Sequence, residues 1–195
     1  MILRPKGEVM THLGTKTLET PRLILRQFRL SDAEDMYNNW ANSPAVCRFL
    51  SWEPHKDAEE TRQLLSRWVE RYQNEKEYNW ALELKELGQI IGNLSVVSLS
   101  DQHLHCELGY CMGERFWRKG LMPEAAERVI GFLFEEVGLN RIEAKHAAHN
   151  PASGRVMEKC GMAKEGTLRQ RWLMHDGTLE DTNIWAILRE DWKKV

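Results

Sequence analysis

The apolar positions of this chain change period several times, and each change marks an element. Leu23-Ile24-Leu25, introduced by Pro21, predicts a first strand. Ser31 followed by Glu34 forms a capping box and predicts a helix over residues 32–40. Asp57 and Glu60 give a related signature ahead of Thr61, Leu64, Leu65, Trp68, Val69 and Tyr72, which share one helical face. Tyr78, Trp80, Leu82 and Leu84 then alternate, as in a strand. Gly88 turns the chain into a second strand over 90–99, and Ser100-Asp101-Gln102 into a third over 105–112. Three strands with short connections predict an antiparallel meander.

Ala126, Val129, Ile130, Leu133, Phe134 and Val137 form the buried stripe of a helix predicted over 123–137, with Pro123 at its first position and Gly138 just past its end. Residues 141–146 alternate charged with apolar or small side chains, as a strand beside a cleft does. Asn150-Pro151 opens a short helix that Gly161 ends. Two last strands, 167–174 and 181–188, are joined by Asp176-Gly177. There is no repeat, low-complexity tract or internal linker. The expectation is one α/β domain over residues 17–192, behind a flexible lead-in over 1–16.

Composition narrows the function classes. The 195 residues suit one domain with a full core, and 42% hydrophobic with 29% charged residues is ordinary for a soluble globular protein. No apolar run approaches the ~20 residues of a membrane span, and the N-terminus shows no apolar signal region. A net charge of −2 gives no sign of a direct nucleic-acid binder. A cytoplasmic protein is expected. Cys106 and Cys111 should point to opposite faces of a strand, so the four cysteines are expected as free thiols. His146 and His149 have helical spacing in a strand context and no third ligand nearby, so no metal is expected.

The stretch "FWRKGLMPEAA", 116–126, places two cations, a glycine and a proline where a helix begins. Two readings stand. Gly120 and Pro123 could simply make a turn and start a helix. Alternatively, the unpaired N–H groups and partial positive charge of the first turn hold an anion, with Arg118 and Lys119 adding charge and Gly120 permitting close approach. The stretch is neither GxxxxGK[ST] nor GxGxxG.

The order of elements, together with "TPRLILR" (20–26), "ELGYCM" (107–112), "FWRKGLMPEA" (116–125) and "NPASGRVMEKCGM" (150–162), resembles the GNAT superfamily of acetyl-CoA-dependent N-acetyltransferases. Within it the chain looks like the branch that acetylates ribosomal-protein N-termini. The resemblance implies a mixed, mostly antiparallel sheet of about seven strands, splayed between the fourth and fifth and flanked by about four helices. It implies that the amides of Arg118, Lys119, Gly120, Leu121 and Met122 cradle the coenzyme's pyrophosphate. The main chain of Tyr110, Cys111 and Met112 would pair with the pantetheine arm, and Asn150 would bind that arm through its amide. Met122 departs from the small residue usual at its position, and its side chain must point away from the ligand.

Acetyl transfer needs a neutral amine, and a protein α-amino group near pKa ~8 gives up its proton more readily than lysine at ~10.4. Glu107, at the start of a strand, is the candidate base; the alternative is an exposed strand-end carboxylate. In similar proteins a tyrosine stands where this chain has Met157, and a glutamate where it has Lys145. Ser153 matches a serine placed near the coenzyme sulfur in the ribosomal-protein branch, although a local backbone role suits it almost as well. The acceptor pocket is expected from the segment Phe49-Leu50-Ser51-Trp52 and from Trp172. Small amines (a polyamine, an amino sugar, an amino acid) rival the protein terminus as acceptor, and a non-catalytic acyl-CoA-binding module is the rival from another class. Monomer and homodimer are both open.

Overall fold

In the computed structural model of the protein, which describes residues 10–50, 52–174 and 177–192, the predicted strands meet in one mixed sheet with helices on both faces. The chain runs through β1 (Leu18–Glu19), β2 (Leu23–Arg26), a 3-10 turn (Leu30–Asp32), α1 (Ala33–Met36), a π-helical turn (Tyr37–Ala41), α2 (Pro44–Cys47) and α3 (Ala58–Arg71). It continues with β3 (Asn79–Leu84), β4 (Gln89–Ser100), β5 (His105–Met112) and, after a short 3-10 turn (Glu114–Phe116), α4 (Leu121–Phe132), extended by a π-helical turn (Leu133–Val137). The last elements are β6 (Arg141–Ala147), α5 (Pro151–Lys159), β7 (Ala163–Leu173), β8 (Leu179–Leu188) and α6 (Arg189–Trp192).

The sheet order is β1-β2-β3-β4-β5-β6-β8-β7, antiparallel throughout except for the parallel pair β5–β6. The expected meander is β3-β4-β5. Among the described residues, eight strands replace the expected seven because β1, two residues paired to Leu25 and Ile24, is too short to carry any period. Six α-helices replace the expected four there because α2 and α6 are single turns.

Burial on both sides of β3 shows where the core lies. Trp80 and Leu82 pack in a cluster with Val129, Ile130 and Phe134 of the α4 segment, while Ala81 joins a second cluster with Met36, Trp40 and Leu65. Helices α4 and α5 thus cover one face, and α1 and α3 the other.

Local signals held where the cap is local. Asp57 accepts from the Glu60 N–H at 2.8 Å and starts α3. The Ser31 box did not form. Asp32 instead accepts from the Arg29 N–H at 2.7 Å and takes both ends of the Arg26 guanidinium at 2.9 and 3.0 Å, and the expected helix then runs as α1 and the π-helical turn from Ala33 to Ala41. Val69, expected on the buried face, is 36% exposed. The described part of the expected loose lead-in is tied down: Thr11 donates to the Val137 carbonyl, Gly14 to Glu75, and the Thr15 hydroxyl to Glu77. Residues 1–9 lie outside the described residues, as does Asp176 of the last turn.

Candidate active site

β5 and β6 pair only from His105 opposite Arg141 to Leu108 opposite Ala144. Beyond that point β5 stays with β4 as far as Met112, and β6 stays with β8 as far as Ala147. The two half-sheets part, and a cleft of about 840 Å³ lies at the parting. It brings together Glu107, Tyr110, Cys111, Asn150 and Ser153 with Phe49, Trp52 and Trp172, contributed by four segments far apart in sequence. Met112 and residues 118–122 do not line this cleft. Ser51 lies outside the described residues.

The edge of β5 past the parting is half available. Gly113 donates its N–H to Ile91 on β4 at 3.0 Å. Antiparallel alternation then turns Cys111 toward β4 as well, and leaves Tyr110 and Met112 facing the opening. The Met112 carbonyl is already held by the Trp117 indole N–H at 2.6 Å. Of the three residues expected to offer main chain to the coenzyme arm, Tyr110 is therefore the one with both groups toward the gap.

Beyond Trp117 the chain makes a tight left-handed turn, with φ +60° at Arg118 and +74° at Gly120. A side chain at φ near +60° costs on the order of 1 kcal/mol, so Arg118 is held there by its surroundings. Helix α4 begins at Leu121, two residues earlier than Pro123 at the first position would require, because Gly120 serves as the N-cap. The first ladder bond is Glu124 N–H to the Gly120 carbonyl at 3.2 Å. The amides of Leu121 and Met122 precede that ladder, and the missing N–H of Pro123 falls where no intrahelical partner exists. Met122 turns its side chain into the core, 6% exposed, so only its main chain remains at the turn.

Arg22, to which no sequence signal assigned a role, braces this turn. Its Nη1 donates to the Lys119 carbonyl at 2.8 Å, and its Nε and backbone N–H donate to the two oxygens of Glu124 at 2.6 and 2.9 Å. Thr20 adds a third bond to Glu124 at 2.6 Å. Because C=O and N–H of a trans peptide point in opposite directions, fixing the Lys119 carbonyl toward Arg22 aims the Gly120 N–H away from it. Burial alone would raise the Glu124 carboxyl, but the bonds from Thr20 and Arg22 draw it below its ordinary value. A carboxylate that would repel an anion at this helix start is thereby compensated. The turn fits a phosphate group: oriented amides, two flanking cations and no side chain at Gly120.

The other half of the site is made of side chains. Lys145 grips both oxygens of Glu107, at 3.0 and 3.1 Å, and its ammonium stands 6.0 Å from the Trp172 ring centroid. Lys145 is thus the partner of the candidate base. Across the opening, the Tyr110 hydroxyl lies 2.9 Å from Ser153 Oγ and 3.0 Å from the Ser153 carbonyl. Asn150 caps α5, its Oδ1 accepting from the Ser153 N–H at 3.3 Å. Helix α5 lies close on β6 because residue 154 is glycine: a Cβ there would sit 2.9 Å from His146 Nε2. His146 donates through Nδ1 to the Ala147 carbonyl at 2.8 Å, and burial lowers its pKa, so it is held neutral.

Cys111 lines the cleft, but burial pushes its thiol up to about 12, which removes it as a nucleophile at neutral pH. Among the described residues no cluster of three His, Cys, Asp or Glu could hold a metal ion, and no helix is long and apolar enough to cross a membrane.

Residues 22–163 match the family model described as the acetyltransferase (GNAT) domain. The Uncharacterized N-acetyltransferase YoaA of Bacillus subtilis (strain 168) is 33% identical over 172 residues, spanning 88% of this chain and 96% of that protein. The [Ribosomal protein uS5]-alanine N-acetyltransferase of Escherichia coli (strain K12) is 31% identical over 185 residues, spanning 90% and 92%. Among solved structures, an acetyltransferase (GNAT family) from Bacillus anthracis superposes with a TM-score of 0.78 at 25% identity, covering 90% of this chain and 99% of that one.

Proposed function

Since the chain belongs to the GNAT family of acetyltransferases, we propose that it acetylates the α-amino group of a protein terminus, such as that of a ribosomal protein. It is an N-acetyltransferase with acetyl-CoA as donor; that co-substrate supplies the acetyl group as an activated thioester. The observation that carries the choice of acceptor is the mouth of the cleft. Val97, Leu168 and Leu173 line it while 58%, 46% and 63% exposed, beside the half-buried rings of Phe49, Trp52 and Trp172. Single exposed aliphatics are ordinary, but three at the rim of one aromatic-walled cleft suit the residues that follow a peptide's first amino group.

In this reading the chain's groups divide the work. The amides of Gly120, Leu121 and Met122, with Arg118 and Lys119, hold the coenzyme's pyrophosphate, and Tyr110 offers main chain to its arm. Asn150 and Ser153 stand beside that arm. Glu107 takes the proton of the incoming ammonium, directly or through water, and Lys145 keeps its carboxylate oriented. The amine then attacks directly, with no acyl-cysteine, because the Cys111 thiol stays protonated. Holding both reactants together supplies a large part of the rate.

The test is incubation with acetyl-CoA and a panel of peptides with different N-termini, polyamines, amino sugars and amino acids, following release of free thiol. Turnover confined to peptides, with the acetyl group on the α-nitrogen, is expected. Turnover confined to small amines would overturn the assignment of the acceptor.

A further inference from the structure

We infer that Tyr110 is a positioning residue for the leaving-group side of the reaction: its phenol bridges the opening and turns the Ser153 hydroxyl outward as a hydrogen-bond donor to the coenzyme sulfur. The inference rests on the coenzyme site proposed above. Its starting point is an accounting of two protons.

A carbonyl can only accept, so when the Tyr110 proton serves the Ser153 carbonyl at 3.0 Å, the 2.9 Å contact between the hydroxyls must use the Ser153 proton, pointing inward. When Tyr110 instead donates to Ser153 Oγ, the Ser153 proton is released toward the cleft that both residues line. Negative charge arriving at that wall selects the second arrangement, and two hydroxyls in series polarise one another. Without the phenol, Ser153 would do what serine in a helix commonly does. It would fold its proton back onto the carbonyl three residues earlier, that of Asn150 at the N-cap.

The position of Tyr110 gives it this reach. It lies two residues past Leu108, the last position at which β5 pairs with β6, yet its hydroxyl reaches α5, which follows β6. The contact therefore ties the two half-sheets together at the level of the gap. Met157, 1% exposed, offers no proton there. The phenol works by donating a hydrogen bond rather than by surrendering its proton. Burial raises its pKa above the ordinary value, the bond to Ser153 opposing, whereas a free thiol ionises near ~8.5. Full transfer from phenol to thiolate would run uphill, so the sulfur leaves with its electron pair, is stabilised by Ser153 O–H, and takes its final proton from solvent.

Tyr110→Phe keeps the ring and deletes the hydroxyl. The variant should lose about tenfold to a hundredfold in kcat, the range for a hydrogen bond to a charged group, with KM for acetyl-CoA within about twofold. Ser153→Ala should lose as much, and the double variant no more than either. A readout independent of turnover is the ionisation of CoA bound to the protein, followed by ultraviolet thiolate absorbance. The bound thiol should ionise at lower pH in the wild type than in Tyr110→Phe, while desulfo-CoA binds both equally. Should Tyr110→Phe not fold, a fluorotyrosine at position 110, which keeps the hydroxyl but makes it more acidic, has to lower the bound-thiol pKa further. Unchanged kcat and thiol ionisation in Tyr110→Phe would overturn the inference. So would a parallel loss of desulfo-CoA affinity, which marks a purely structural contact. Failure of the wild type to bind CoA at all would instead overturn the coenzyme site itself.

Discussion

The two halves of the site are built from different material. At the start of α4 the working groups are main-chain amides, fixed by a left-handed turn and braced by Arg22 and Glu124. Across the opening they are side chains, Glu107 with Lys145 and Tyr110 with Ser153, each held by a partner on another element. A main-chain cradle depends on conformation, so it tolerates changes of side chain that leave φ and ψ alone. A side-chain constellation depends on identity and fails when one atom is changed.

The contrast can be broken most sharply from the side-chain half. Glu107→Gln keeps shape and removes the base; kcat should fall about a hundredfold near neutral pH, with the affinity for CoA by calorimetry unchanged. An unaltered kcat would assign proton removal elsewhere. On the main-chain half, Gly120→Val places a branched side chain at φ +74° and should weaken CoA binding about tenfold or more, while kcat at saturating acetyl-CoA stays close to wild type. By the same logic Lys119→Ala, which leaves the conformation free to persist, should weaken CoA binding less than Gly120→Val does.

Arg22→Ala sharpens the same comparison at smaller amplitude. It frees the Lys119 carbonyl and leaves Glu124 with the Thr20 hydroxyl and no cation, so KM for acetyl-CoA should rise about threefold to tenfold. Acetyl-pantetheine, which lacks the pyrophosphate, should show no change. Equal effects on both donors would mean that Arg22 merely stabilises the fold.

The smallest effect concerns His146, under α5. Its folded pKa lies below the ordinary ~6.5 because of burial, so between that value and the folded pKa the unfolded chain binds a proton that the folded chain does not. Stability is unaffected above about pH 6.5 and declines as pH falls below it. The urea midpoint should fall with acid less steeply in His146→Leu than in the wild type. His55, also lowered by burial, keeps part of the slope in both.

How much of this could be seen in the sequence follows the same division. The Gly120 turn, the Asp57 and Asn150 caps and the β3-β4-β5 meander are written in adjacent residues, and local chemistry sufficed for them. Pro123 misled by two positions because a proline within the first turn loses no ladder bond, and so does not report which of those positions it holds. Arg22 and Glu124 are 102 residues apart, Tyr110 and Ser153 43, and Glu107 and Lys145 38. No period or spacing joins such pairs. Ser31 misled because Arg26 claimed Asp32 through an ion pair invisible to a local cap rule. Glu107 and Ser153 could be nominated singly, but the partners that orient them emerged only when β5, β6 and α5 were packed together.

The central claim is that amides at the start of α4 hold a diphosphate and thereby set the thioester arm into the opening beyond Leu108 and Ala144. Amide NMR of the wild-type protein during titration tests it most directly. On addition of CoA, the Gly120, Leu121, Met122 and Tyr110 amides should shift and gain protection from exchange, and with pantetheine only Tyr110 should respond. If CoA binds while the amides of residues 120–122 stay where they were, the turn is a helix start and nothing more.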